Sequence, residues 1–129
     1  MTLTKNILVA IFLCLVSFTI NAQNQKQLVK VGDQLYGEGD FYGASIWYKQ
    51  ALDIDSTYLD IVFKYAEALR GYNDYAKAES KYFYVYKKDR GIVYPLAPFW
   101  YSMMLKYNGK YSEAKTSFKR IKRFFSKDK

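Results

Sequence analysis

The sequence predicts an all-α fold: three helix–turn–helix repeats, six helices in all, stacked as a solenoid behind an N-terminal signal peptide. Three observations carry this expectation. Seven columns of residue type recur along the chain at offsets of 34 and 36 residues. Within each copy, apolar residues are spaced by three and four, which marks one face of a helix. The first 22 residues differ in composition from all that follows.

That first segment has Lys5 as its only charge, then an apolar run of 14 residues from Ile7 to Ile20, then Asn21-Ala22. A basic start, a short apolar stretch and a small residue at the cut describe a secretory signal peptide. A membrane span needs about 20 apolar residues, so cleavage after Ala22 is expected, with no stable transmembrane span left. An uncleaved anchor is the alternative, because Ile20 departs from the small-x-small pattern. Cys14 follows Phe12-Leu13, which do not suit a lipoprotein signal. The mature chain, residues 23–129, then holds neither Cys nor His, and disulfides are excluded.

The columns run as follows. Small residues stand at Gly32, Ala66 and Ser102, each preceded by Val31, Tyr65 or Tyr101. Leu35, Leu69 and Leu105 come three residues after the small position. Next come Phe41, Tyr75 and Tyr111, then Ala44, Ala78 and Ala114, then Tyr48, Tyr82 and Phe118. Ala51, Val85 and Ile121 complete the set. Helices are expected at 25–37, 41–53, 57–71, 75–88, 97–107 and 111–125. Gly37 and Gly39, Gly71 and Asn73, and Asn108-Gly109 can close helices through left-handed backbone. Asp40 and Asp74 suit N-caps, and Thr57 with Asp60 reads as a capping box. Pro95 and Pro98 fit a first helical turn, where a missing N–H costs little. The small residues let paired helices approach closely, with the aromatics filling the space between successive pairs.

This pattern resembles the tetratricopeptide repeat, a 34-residue helix–turn–helix unit. "GDFYGASIWYKQAL", "NDYAKAESKYFYVY" and "GKYSEAKTSFKRIK" carry the resemblance, and residues 25–58, 59–92 and 95–128 align with three units. The chain departs at the family's tryptophan column, which holds Leu28, Val62 and Pro98, and at its closing proline column, which holds Ser56, Arg90 and Ser126. "KKDRGIVYP" adds two residues between the second and third units. The resemblance implies a right-handed superhelix whose concave face binds a protein or peptide through the first helix of each pair. In this register the concave residues are Lys26, Val29, Asp33 and Tyr36, then Asp60, Phe63, Glu67 and Arg70, then Phe99, Met103, Lys106 and Tyr107. The family's carboxylate-gripping clamp is absent, because Val29, Asp33 and Glu67 occupy its positions. Such a groove suits an extended or helical segment with apolar anchors.

Catalytic chemistry finds little footing. Without His there is no Ser-His or Cys-His nucleophile pair. No calcium-loop spacing and no phosphate-binding glycine loop occur, so no cofactor or metal is expected and the chain reads as a non-enzyme. The net charge of +8 falls to +7 without Lys5. Export argues against nucleic acid as the partner of that charge and favours acidic protein surfaces or anionic envelope polymers. Residues 119–129, "KRIKRFFSKDK", carry six cations and one anion. Beside them Ile121, Phe124 and Phe125 form a candidate docking edge, since a solenoid's last apolar face needs a cover. A partner, another copy or a further domain would supply it.

The chain also looks like the N-terminal part of envelope proteins from gliding Gram-negative bacteria. In those, such repeats precede a β-propeller and a peptidoglycan-binding domain resembling outer-membrane protein A, and some serve type IX secretion. The expected function is a non-enzymatic adaptor in the periplasm or at the outer membrane. A glycan- or peptidoglycan-binding protein using exposed Tyr and Trp side chains is the alternative. Tyr42 and Trp47 match no column, and Trp47 is a candidate outer-face contact.

Overall fold

A computed structural model describes residues 1–126, with the side chains of 2, 15–22, 124 and 125 outside that description. Six α-helices and no strand occur among the described residues: α1 Thr2–Gly37, α2 Phe41–Ile54, α3 Leu59–Gly71, α4 Tyr75–Asp89, α5 Leu96–Tyr107 and α6 Tyr111–Ser126. Each helix packs chiefly against its neighbours in sequence, as expected of a stack of helix pairs.

One turn chemistry recurs in all three pairs. The backbone N–H of Asp40, Asp74 and Lys110 donates to the carbonyl of Leu35, Leu69 and Leu105 at 2.9, 2.9 and 2.8 Å. The N–H one residue earlier donates to Tyr36, Arg70 and Lys106, each at 3.1 Å. This double bond pattern needs a left-handed residue just past the helix, and Gly39 (φ +86°), Asn73 (φ +70°) and Gly109 (φ +78°) supply it. Gly37 and Gly71 instead end their helices without a positive φ. Gly71 serves packing, because a Cβ there would enter the Phe41 ring. The expected caps form, with Asp40 Oδ1 accepting from Gly43 N at 2.8 Å and Asp74 Oδ1 from Lys77 N at 3.2 Å.

Three expectations are corrected. The first helix does not begin near residue 25 but runs unbroken from Thr2, since residues 1–22 contain no Gly or Pro to stop it. Thr57 does not cap α3. Its N–H and hydroxyl both donate to Asp55 Oδ1, at 2.9 and 2.6 Å, so it is committed to the preceding turn and the helix starts at Leu59. Finally, the aromatic at position 48 works inside its own pair. A Cβ on Gly32 would lie 2.6 Å from Tyr48 Cε1, so the ring occupies the space that the glycine leaves.

The core is continuous through the first two pairs. Ala44, Tyr48, Ala51, Ala66, Leu69, Ala78 and Tyr82 are almost wholly buried and pack with Met104 of α5. Gln25, buried on α1, ties that helix to the end of α2. Its Nε2 donates to the Ala51 and Asp55 carbonyls at 2.8 and 3.2 Å, which occupies acceptors at the end of α2. The N-terminal part of α1 projects from this body. Leu3, Ile7, Leu8, Val9, Ile11, Phe12 and Leu13 are each more than half exposed. Among the described residues no helix is long and apolar enough to cross a membrane.

Candidate functional site

The turns make α1, α3 and α5 the first helix of each pair. Between α1 and α3 lies a cavity of about 550 Å³, lined by Asp33, Tyr36, Tyr48, Asp60, Phe63, Lys64, Glu67 and Tyr94. Five of the twelve concave-face residues expected from sequence meet there: Asp33, Tyr36, Asp60, Phe63 and Glu67.

The remaining seven lie elsewhere. Val29 and Met103 pack against the core, and Lys26 and Lys106 are exposed. Phe99 lies against Trp100 and Phe118, with ring centroids 5.1 and 6.1 Å apart. Tyr107 lies against Tyr75 at 4.8 Å. Arg70 turns toward α5, where its guanidinium sits 3.9 Å from the centre of the Trp100 ring. At the expected C-terminal docking edge Ile121 is half-buried, while the side chains of Phe124 and Phe125 lie outside the described residues.

The acids of the cavity are held by a polar ladder. Tyr48 reaches past Gly32, and its hydroxyl donates to Asp33 Oδ1 at 2.7 Å. One repeat later the Tyr82 hydroxyl donates to Glu67 Oε1 and accepts from Arg70 Nε at 3.0 Å. Burial, then the hydrogen bond and charge of the facing carboxylate, push both tyrosine hydroxyls far above their ordinary pKa. Both therefore stay protonated donors. Arg70 Nη2 donates to Glu67 Oε2 at 2.6 Å. Lys64 bridges the helices, 2.9 Å from Asp33 Oδ2 and 3.6 Å from Asp60 Oδ2. Burial alone would lower the Lys64 pKa, but hydrogen bonds and charge from Asp33 and Asp60 raise it overall, so it stays an ammonium.

Tyr94 closes one end of the cavity and belongs to no repeat column. The two-residue insertion before α5 brings it in. Arg90 (φ +58°) and Gly91 (φ +82°) turn the chain through successive left-handed positions. The Asp89 carboxylate then accepts from Val93 N and Tyr94 N at 3.0 and 2.9 Å, which braces the loop. The Tyr94 ring packs on Phe63 with centroids 5.1 Å apart. Burial first, then the charges of Asp60 and Asp89, raise its pKa.

The tyrosines are unevenly available. Tyr48 and Tyr82 are core residues. Tyr42 is exposed but rests edge-on against Tyr72 at 5.4 Å, and Trp47 is half-buried.

Neither a scan of family models nor a search of curated proteins returns a match. Among solved structures the chain is similar to the first tetratricopeptide repeat domain of Spaghetti (RPAP3), solved with the HSP90 peptide SRMEEVD. That match has a TM-score of 0.66 and 22% sequence identity, and it covers 77% of each chain. The likeness establishes a tetratricopeptide-repeat-like fold.

Proposed function

We propose that this chain is a non-catalytic protein-interaction module of the cell envelope, gripping a partner segment in the groove between α1 and α3. The single observation that carries the reading is that cavity: aromatic lining from Tyr36, Phe63 and Tyr94 with convergent polar groups around it. The structural neighbour supports it, since a domain of the same fold was solved with a peptide. Export and a place in a secretion-associated assembly are part of the proposal and rest on the sequence alone: the leader of residues 1–22 and the envelope resemblance. In this reading the apolar edge at Ile121, Phe124 and Phe125 is a second contact, covered by a partner, another copy or a further domain.

Affinity purification of the tagged full-length chain from its native envelope tests the groove. Tyr94→Ala removes an aromatic side chain of the loop before α5, at the edge of the Val62, Val85 and Ala97 cluster, and leaves the buried residues of the stack in place. The expected result is loss of the co-purifying partner with an unchanged helical circular dichroism spectrum. Undiminished recovery of the partner by Tyr94→Ala would place binding elsewhere.

A further inference from the structure

We infer that the groove recognises a cationic side chain, a lysine or arginine of the partner segment, held at the Asp33 and Asp60 carboxylates and against the Phe63–Tyr94 aromatic wall. The inference deepens the proposed function and rests on it.

The charge count of the cavity comes first. Three carboxylates and one ammonium line it. Glu67 is engaged by Arg70 and Tyr82, which leaves Asp33 and Asp60 to share Lys64. One ammonium facing two carboxylates leaves an uncompensated negative charge. It is concentrated at Asp60, whose contact with Lys64 is long at 3.6 Å and whose side chain is 57% exposed. Asp33 also keeps 46% of its side chain open. Both carboxylates line the cavity with part of their surface open, and Asp60 carries the fewer hydrogen bonds of the two.

Shape and aromaticity point the same way. Phe63 and Tyr94 form a tilted stack that walls the space beside Asp60. Aromatic faces attract cations through the ring quadrupole, and long basic side chains lay their aliphatic stems on apolar surface while the charged head finds an acid. A cavity of about 550 Å³ admits such a side chain with its backbone. After burial, the charges of Asp60 and Asp89 raise the Tyr94 pKa and that of Lys64 lowers it, which places the Tyr94 ring within electrostatic reach of Asp60 and Lys64. An acidic segment such as the one bound by the structural neighbour would set like charges against Asp33, Asp60 and Glu67, which is unfavourable.

Ligand-observed NMR on the full-length chain tests this, with Nα-acetyl-arginine amide, Nα-acetyl-lysine amide and Nα-acetyl-glutamate amide as probes. The two cationic probes should bind and the glutamate probe should not. Asp33→Asn with Asp60→Asn keeps the side-chain shapes and the acceptor for Tyr48, and should weaken cation binding roughly fivefold or more. Tyr94→Ala leaves every carboxylate in place and should weaken it by a similar factor. Equal binding of the glutamate probe, no binding of any probe, or unchanged affinity in both variants overturns the inference. A separate titration with N-acetylated SAMEEVD, the neighbour's acidic peptide with its arginine replaced by alanine, separates the two claims. Binding of that peptide, lost in Tyr94→Ala, would leave the groove as the site while refuting its preference for cations.

Discussion

In the first two repeats a carboxylate on the first helix meets a tyrosine hydroxyl on the second, Asp33 with Tyr48 and Glu67 with Tyr82. In the third repeat the same two positions hold Met103 and Phe118. Both partners have changed together, and the reason is energetic. A buried hydroxyl or carboxylate stripped of its partner costs about 1–3 kcal/mol, whereas replacing both by apolar groups can be nearly neutral. The groove lies where the polar pair is kept, and the third repeat's candidates, Phe99, Met103, Lys106 and Tyr107, stand outside it.

The largest break in this comparison comes from removing the second-repeat aromatic. Tyr82 is fully buried, whereas Phe118 is only half-buried. Tyr82→Ala should destabilise the full chain by about 3–5 kcal/mol, and Phe118→Ala by distinctly less, both read from urea unfolding. A smaller effect sharpens the pairing argument. Glu67→Met alone copies half of the third repeat, strands the Tyr82 hydroxyl and Arg70, and should cost about 1–3 kcal/mol. Adding Tyr82→Phe completes the copy and should recover much of the loss. A double-mutant cycle with no coupling would show that the two positions act independently.

The smallest effect lies at the caps. Burial would raise the Asp74 carboxyl, but hydrogen bonds from the Lys77 ammonium and backbone N–H, together with the Lys77 charge, hold it below the ordinary 3.8. A lowered carboxyl contributes stability above its unfolded value and loses it as the pH falls through the folded one. Asp74→Ala should therefore cost about 1 kcal/mol at neutral pH, with the gap to the parent chain narrowing only below pH 3.8. Thermal unfolding across pH 2–7 reads both.

Much of this was legible before the structure. The recurring Leu, turn residue and Ala positions foretold the three matching helix ends and the caps at Asp40 and Asp74. The acid–tyrosine pairing was within reach too, because Asp33, Glu67 and Met103 change in step with Tyr48, Tyr82 and Phe118. Tyr94 was not legible. It sits in an insertion that matches no column, and its placement depends on Arg90 adopting a left-handed backbone, which residue type does not announce. Gln25 was missed for a different reason, since its bond partners lie 26 and 30 residues away on the far end of α2. The continuation of α1 through residues 2–22 escaped because a signal-like composition and an uninterrupted helix coincide there.

The most direct test of the groove is site-specific photo-crosslinking in cells that make the full-length chain. A photoreactive phenylalanine analogue at position 63 should crosslink to a partner, and the crosslinked peptide should carry a lysine or arginine next to the attachment point. The same analogue at position 84, which lines a different groove between α2 and α4, should give little or no product. Crosslinking from position 84 with none from position 63 would contradict the account.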